Sequence, residues 1–324
     1  MTVVLITVDT ELSALLQQRG VPPAANLASS ILGETAAGAY GIGWQMDRLE
    51  EQGLTGIFFV DPLPALVHGE GLVADIVGPI VARGHDVQLH LHTEWLQWAR
   101  ESPVGGRRGT YLKDFSRADQ HVLLALARDL LIRAGAPSPV AFRAGNYGAN
   151  DDTLAVLAAF GIRWDSSVNA DYLGRACGVS LPADQHMPVR HRGIVELPVS
   201  GIQDRPGHFR PAQLCALSAW EMGAALGHAA EAGHPLFTIV THSFEMLSRD
   251  RSRPNRAVMR RFATLCRRIA RDPRLAAARF AELDAEAVLV GNRPRLGPSA
   301  LRTWARIGEQ AIATWRYERQ LRPA

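Results

Sequence analysis

Gly84-His85-Asp86-Val87-Gln88-Leu89-His90-Leu91-His92 follows a run of helical period, Leu72–Arg83, and packs three signals into nine residues. Gly84 is a natural helix-stop residue, because glycine enters the left-handed conformation at no steric cost. Asp86–Leu91 reads as a short strand, and His90 and His92 close it. On a strand, residues two apart point to the same side, so the two imidazoles can face one ligand.

The same order of helix, glycine and apolar strand recurs outward from this stretch. A helix over Trp44–Gln52 ends at Gly53 before the strand Thr55–Val60. Helix Ser116–Ala134 ends at Gly135 before Val140–Phe142, and helix Asp151–Phe160 ends at Gly161 before Ile162–Trp164. Ile194–Val199 reads as a further strand. Helix Pro211–Ala232 ends at Gly233 before Leu236–Thr241, and Ala287–Val290 is the last strand candidate. Val3–Val8 opens the series. Repeated units of this kind predict an α/β fold, a distorted or incomplete (β/α) barrel of about seven parallel strands. No GxGxxG or GxxxxGK[ST] follows a strand, which removes dinucleotide and P-loop readings. The expected organisation is a barrel over residues 1–292 and a C-terminal helical extension over residues 293–324.

Composition narrows the class. The chain has 324 residues, 47% hydrophobic and 21% charged, with a net charge of +3, ordinary for a globular protein with a large core. Lys113 is the only lysine, so the basic balance comes from arginine. The densest arginine stretch, Arg249 to Arg274, reads as the solvated face of a helix and not as a nucleic-acid surface. Cys177, Cys215 and Cys266 are odd in number and far apart, which fits free thiols in a reducing compartment. Val3–Val8 is too short for a signal peptide and runs into acidic residues. No run approaches the ~20 apolar residues of a membrane span. These features point to a cytoplasmic protein.

The ionisable residues fall at strand ends. Asp9 and Glu11 follow the first strand, His90 and His92 the third, Arg143 the fourth, Asp165 the fifth, and His242 follows Leu236–Thr241. In a βα barrel the C-terminal ends of the strands meet at one rim. The pattern alone therefore predicts a site of two acids, two or three histidines and an arginine. Each has a plainer reading: a turn aspartate, hydrogen-bonded strand histidines, a structural Arg143–Asp165 pair, a core histidine at 242. Their joint placement favours chemistry.

At these residues the chain resembles the polysaccharide deacetylase superfamily. Thr7-Val8-Asp9-Thr10-Glu11 stands where that family has T-F-D-D-G, and Gly84–His90 is similar to its G-H-E-I-x-x-H. Phe142-Arg143-Ala144-Gly145-Asn146-Tyr147-Gly148 looks like F-R-P-P-Y-G with an insertion. Asp165–Val168 and Thr238–His242 match its aspartate block and its last strand with the catalytic histidine. The resemblance spans Val3 to Phe244 and departs at two places: the usual second aspartate is Thr10, and the usual second metal histidine is Glu94. It implies a hydrolase that removes N-acetyl groups from a sugar or polysaccharide precursor. Asp9 would be the general base and His242 the general acid. Arg143 would orient Asp9, and Asp165 would be a partner of Arg143 or His242. A divalent cation, zinc above others, would sit on His90 and His92 with Glu11 or Glu94. Tyr147 would offer a backbone N–H to the oxyanion, and His85 would be structural. Trp95, with Trp98 and Tyr111 in the loop after His92, can stack on sugar rings or simply cover the barrel mouth.

Two other readings keep the fold. The departures at Thr10 and Glu94 suit a non-catalytic carbohydrate-binding member with a degenerate metal site. Allantoinase-like relatives hydrolyse a non-sugar C–N bond. Finally, Leu301–Leu321 reads as an amphipathic helix with Trp304, Ile307, Ala311 and Trp315 on one side. Arg302, Arg306, Arg316 and Arg319 supply its basic surface. Docking on the barrel is its plain role, and a homodimer or peripheral membrane contact is the alternative.

Overall fold

Strand Thr2–Thr10 is buried along nearly its whole length, as its uninterrupted β-branched run requires: a strand covered on both faces has no polar side to alternate with. The structure, a computed structural model, describes residues 1–317. The chain falls into two units, one of Met1–Gly56, Ser200–Ala277 and the residues from Arg293 onward, the other of Ile57–Val199 and Ala278–Asn292. Both are built from βα alternation with mainly parallel strands, and the fold class is the distorted, incomplete (β/α) barrel that the alternation implies.

In the first unit, Thr2–Thr10 pairs in parallel with Leu236–His242, in a register that runs from Val3 opposite Leu236 to Asp9 opposite His242. Leu275–Ala277 pairs in parallel with its start. Val4 and Ile6 pack with Phe237, Ile239, Leu226, Phe262 and Leu265 in one apolar cluster. Two segments, one in this unit and one in the other, differ from expectation in instructive ways. The helix expected from Pro211 begins only at Ala219. Gly201–Arg205 and His208–Pro211 form an antiparallel hairpin instead, turned at Pro206-Gly207. The helix starts where Ser218 and Glu221 make a reciprocal capping box, the Ser-x-x-Glu signal that satisfies two orphan N–H groups. Ala287–Val290, expected as a strand, instead falls on the short helix Ala285–Val288, which Asp284 caps; the last strand is Leu275–Ala277.

The C-terminal helix spans Ala300–Tyr317 among the described residues; Arg319 and the remainder of the expected Leu301–Leu321 helix lie outside them. It packs within the first unit, through polar side chains. Arg306, 4% exposed, donates from Nε to Glu221 Oε1 at 3.0 Å and from Nη2 to Asp204 Oδ2 at 2.9 Å. Breaking a buried pair leaves its partner charged and unsolvated. Arg306→Ala is therefore expected to cost about 3–5 kcal/mol, read as a lower midpoint in urea unfolding. An unchanged midpoint would mean that this contact does not hold the helix.

The second unit carries parallel strands Ile57–Val60, Asp86–Leu91, Ala141–Ala144, Trp164–Asp165 and Ile194–Glu196, paired in that order. Val189–His191 closes the edge in antiparallel pairing. Helices Glu70–Ala82, Arg117–Arg133 and Asp151–Ala159 lie between them. Each starts or stops within a few residues of its sequence expectation. Gly84 adopts φ +74° after the first of these helices, the left-handed turn that its position demands.

Candidate active site

Two groups of predicted residues come into view, one in each unit. In the second unit, His90 and His92 lie on one side of the chain. The strand ends at Leu91, yet His92 keeps extended backbone (φ −107°, ψ 108°), so the two-residue alternation continues past the end. The Nε2 atoms are 3.2 Å apart.

What the other ring nitrogens do decides the chemistry of this pair. His90 Nδ1 lies 2.6 Å from the carbonyl oxygen of Arg143. A carbonyl only accepts, so Nδ1 carries the proton. His92 Nδ1 lies 3.1 Å from Glu94 Oε2. Burial pushes the Glu94 carboxyl up, but hydrogen bonds and charge from His92, and a hydrogen bond from Asn146, hold it below its ordinary value. It is thus an anion, and His92 Nδ1 also donates. Neutral rings so oriented would aim both Nε2 lone pairs at the same spot. Lone pairs at this separation repel unless a proton or a cation lies between them, so the donor set fits a metal ion held by nitrogen ligands. Space for the His92 ring depends on Gly145: a Cβ there would meet His92 ring carbons at 2.7 Å.

Glu94 has both oxygens engaged, since Asn146 Nδ2 donates to Oε1 at 2.8 Å. Its observed place is behind His92. Asn146 and Tyr147 both hold positive φ, 52° and 58°, a conformation uncommon for residues with a Cβ and concentrated at functional sites. Tyr147 is buried, its ring 5.0 Å from that of Tyr172.

Trp95 corrects an expectation. It is fully buried in a 3-10 turn over Thr93–Gln97, with Trp98 5.5 Å and His68 5.9 Å from its ring. A side chain with no exposed surface cannot stack on a sugar; Trp95 is core. His85, expected to be structural, is buried with its ring 5.6 Å from Phe58.

Arg143 is fully buried, over the Phe59 ring at 4.4 Å, and donates to the carbonyl and hydroxyl oxygens of Ser166 at 3.1 Å each. Asp165 is equally buried and accepts from Ser167 Oγ at 2.7 Å and Ser167 N at 3.1 Å. Its carboxyl is raised by burial, against the pull of Glu196, Ser167 and Arg143. Sequence reasoning missed Glu196, the end residue of strand Ile194–Glu196 and fully buried. Burial and the Asp165 charge push Glu196 well above the ordinary carboxylate range. Two carboxyls in one dry place cannot both ionise, so Glu196 stays protonated; its Oε1 accepts from Val168 N at 3.0 Å. The strand-end rule missed it because the strand expected over Ile194–Val199 stops at Glu196.

In the first unit, the parallel register sets Asp9 beside His242, with His242 Nε2 4.0 Å from Asp9 Oδ2. Glu245, also absent from the sequence reading, accepts from His242 Nδ1 at 3.0 Å and from Thr241 Oγ1 at 2.7 Å. Burial works against the imidazolium, but the hydrogen bond and charge of Glu245, with the charges of Asp9 and Glu11, outweigh it and raise His242 to about 9. His242 is therefore a cation at neutral pH, with a proton on the nitrogen that faces Asp9. Gln45 Nε2 donates to the His242 carbonyl at 3.0 Å and fixes the turn. Thr10, in the place of the expected second aspartate, turns its hydroxyl back to the Val8 carbonyl at 3.1 Å.

No protein-family profile and no curated relative matches the chain. Solved structures do. A Mycobacterium smegmatis protein described as a candidate polysaccharide deacetylase superposes with a TM-score of 0.59 at 17% identity, over 92% of this chain and 94% of that one. Puue allantoinase superposes at 0.54 and 13% identity, over 88% of this chain and 89% of that one. The 4-alpha-glucanotransferase from Thermococcus litoralis superposes at 0.52 and 9% identity, over 100% of this chain and 48% of that one. The chain thus has the fold of polysaccharide deacetylases. That fold also carries other reactions, so function has to be argued from the site.

Proposed function

We propose that the chain is a metal-dependent hydrolase of C–N bonds that removes N-acetyl groups from a sugar or oligosaccharide. The observation that carries this reading is the His90–His92 pair, whose Nε2 atoms lie 3.2 Å apart while each Nδ1 faces an acceptor. By the resemblance, Glu11 would be the carboxylate of the ligand set, while Glu94 engages His92 Nδ1. Two imidazoles and a carboxylate suit zinc. Bound there, the ion supplies Lewis-acid polarisation of the amide carbonyl and acidifies water.

The chain's own residues do the rest. Asp9 takes the proton of the attacking water. His242, protonated at neutral pH, gives its Nε2 proton to the departing nitrogen, without which an amine is a poor leaving group. By the resemblance, Arg143 would orient Asp9, Asp165 would hold Arg143, and the Tyr147 backbone N–H would serve the developing oxyanion. A cytoplasmic protein of this kind would act on a nucleotide-linked or lipid-linked precursor of a surface polysaccharide. The likeness to an allantoinase supports a second reading, hydrolysis of a non-sugar C–N bond, as does the loss of Trp95 as a stacking platform. Acetate released from N-acetylglucosamine oligomers by zinc-loaded protein, and suppressed by a chelator, is the result expected. Absence of acetate with turnover of a cyclic amide would select the second reading.

The pH profile follows from His242. Its folded pKa is raised, so the acid form is present below about 9 and lost as pH rises through that value. Turnover should fall on an alkaline limb near pH 9, and Glu245→Gln should move that limb down toward the ordinary histidine value of about 6.5. A limb that stays in place in the variant would remove Glu245 from the account.

A further inference from the structure

The C-terminal helix Ala300–Tyr317 is turned inside out. Its polar side faces the protein: Arg306 is held by Glu221 and Asp204, Thr303 Oγ1 donates to the Asp204 carbonyl at 3.0 Å, and Glu309 accepts from Arg261 Nε at 2.7 Å. Its apolar side faces outward. Leu301 is 69% exposed, Trp304 70%, Ile312 67% and Trp315 62%. With Gly308 these residues fall within an arc of about 80° at 100° per residue, a continuous stripe and not scattered exposure. Exposed apolar stripes of this kind mark contact surfaces.

The charges around the stripe say what it meets. Glu309, the one acid among residues 300–317, is already paired with Arg261. Arg302 and Arg316 flank the stripe. At the Arg316 end a cleft of about 480 Å³ is lined by Arg48, Arg256, Arg260, Arg316, Trp44 and Tyr317, with no carboxylate among the described residues of its wall. Among the described residues, Arg48 alone of these also pairs with an acid, Glu51. A second copy of the helix fits this poorly. An antiparallel pair about Gly308 brings Arg302 of one copy within a turn of Arg316 of the other, and a parallel pair sets each against itself. An anionic lipid surface fits both features. Tryptophan, leucine and isoleucine enter the boundary of headgroup and acyl chain, and arginines meet the phosphates. No described helix is long and apolar enough to cross a membrane, so the contact lies in the surface plane.

We propose that the outward stripe Leu301–Trp304–Ile312–Trp315 and the arginine cleft beside Arg316 form a docking surface for anionic phospholipid membranes. The test is co-sedimentation of the full chain with vesicles of phosphatidylcholine, alone or mixed with phosphatidylglycerol. Binding to the mixed vesicles is expected, weakened by added salt and by omission of phosphatidylglycerol. The double variant Trp304→Ala/Trp315→Ala removes only exposed side chains, and its unchanged circular dichroism would confirm its fold. It should bind at least about ten-fold more weakly, since the two indoles supply most of the inserted area. Arg256→Ser/Arg260→Ser should lose the preference for phosphatidylglycerol while keeping residual binding. No binding by the wild-type chain, or equal binding by the tryptophan variant, would overturn the proposal. So would a dimer in sedimentation equilibrium that the tryptophan variant dissociates, without vesicle binding, because the stripe would then belong to a second copy.

Discussion

Asp9→Asn is expected to lower amide hydrolysis by about two to four orders of magnitude, the range a positioned acid–base group supplies, while leaving the fold and the metal content unchanged. Asparagine keeps the size of the side chain and can still face the proton on His242 Nε2, 4.0 Å away in the wild type. It cannot take a proton from water. The register between Thr2–Thr10 and Leu236–His242 is set by seven paired residues and does not depend on the carboxylate. The loss should therefore appear in kcat with KM little altered. It should also lower the raised pKa of His242, since Asp9 contributes to that shift. The alkaline limb of whatever activity remains should move down. Kinetics and metal analysis on one preparation check both parts. A variant that sheds the metal would make Asp9 a ligand, and Glu11 would become the first candidate for the base.

The candidate site residues were legible where backbone period decides position. A two-residue repeat puts His90 and His92 on one side whatever surrounds them, and a strand end puts Asp9 and His242 at corresponding levels of parallel neighbours. Residues whose role depends on a partner's position were not legible in this way. Glu245 reaches His242 across a turn, and a glutamate three residues from a histidine has no period to announce it. Trp95 looks like any loop aromatic until its burial is known. Glu94 stands where a ligand was sought, yet the geometry gives its oxygens to His92 and Asn146. The outward face of Ala300–Tyr317 was visible as amphipathicity, but periodicity gives a direction only relative to the helix. Buried carboxylates at Glu221 and Asp204 turned the arginine inward and left the tryptophans outside. At Pro211 a strong apolar helical pattern was extended too far because the Ser218–Glu221 capping signal lay inside it.

The second large effect concerns the metal. His90→Ala removes one of the two converging Nε2 atoms and leaves His92 with a single imidazole, so the site should lose its ion outright. Glu94→Gln leaves both nitrogens in place and disturbs only the tautomer of His92. About a ten- to hundred-fold loss of affinity is expected there, as for other residues that hold a ligating histidine. The difference between the two variants separates a ligand from a residue behind a ligand.

Elemental analysis of the purified wild-type chain beside His90→Ala, after dialysis against zinc and then buffer, tests the central claim most directly. About one tightly held zinc ion per chain in the wild type and none in the variant is the outcome expected. A wild-type chain that retains no transition metal, or a His90→Ala variant that retains as much, would contradict the metal-dependent hydrolase described here.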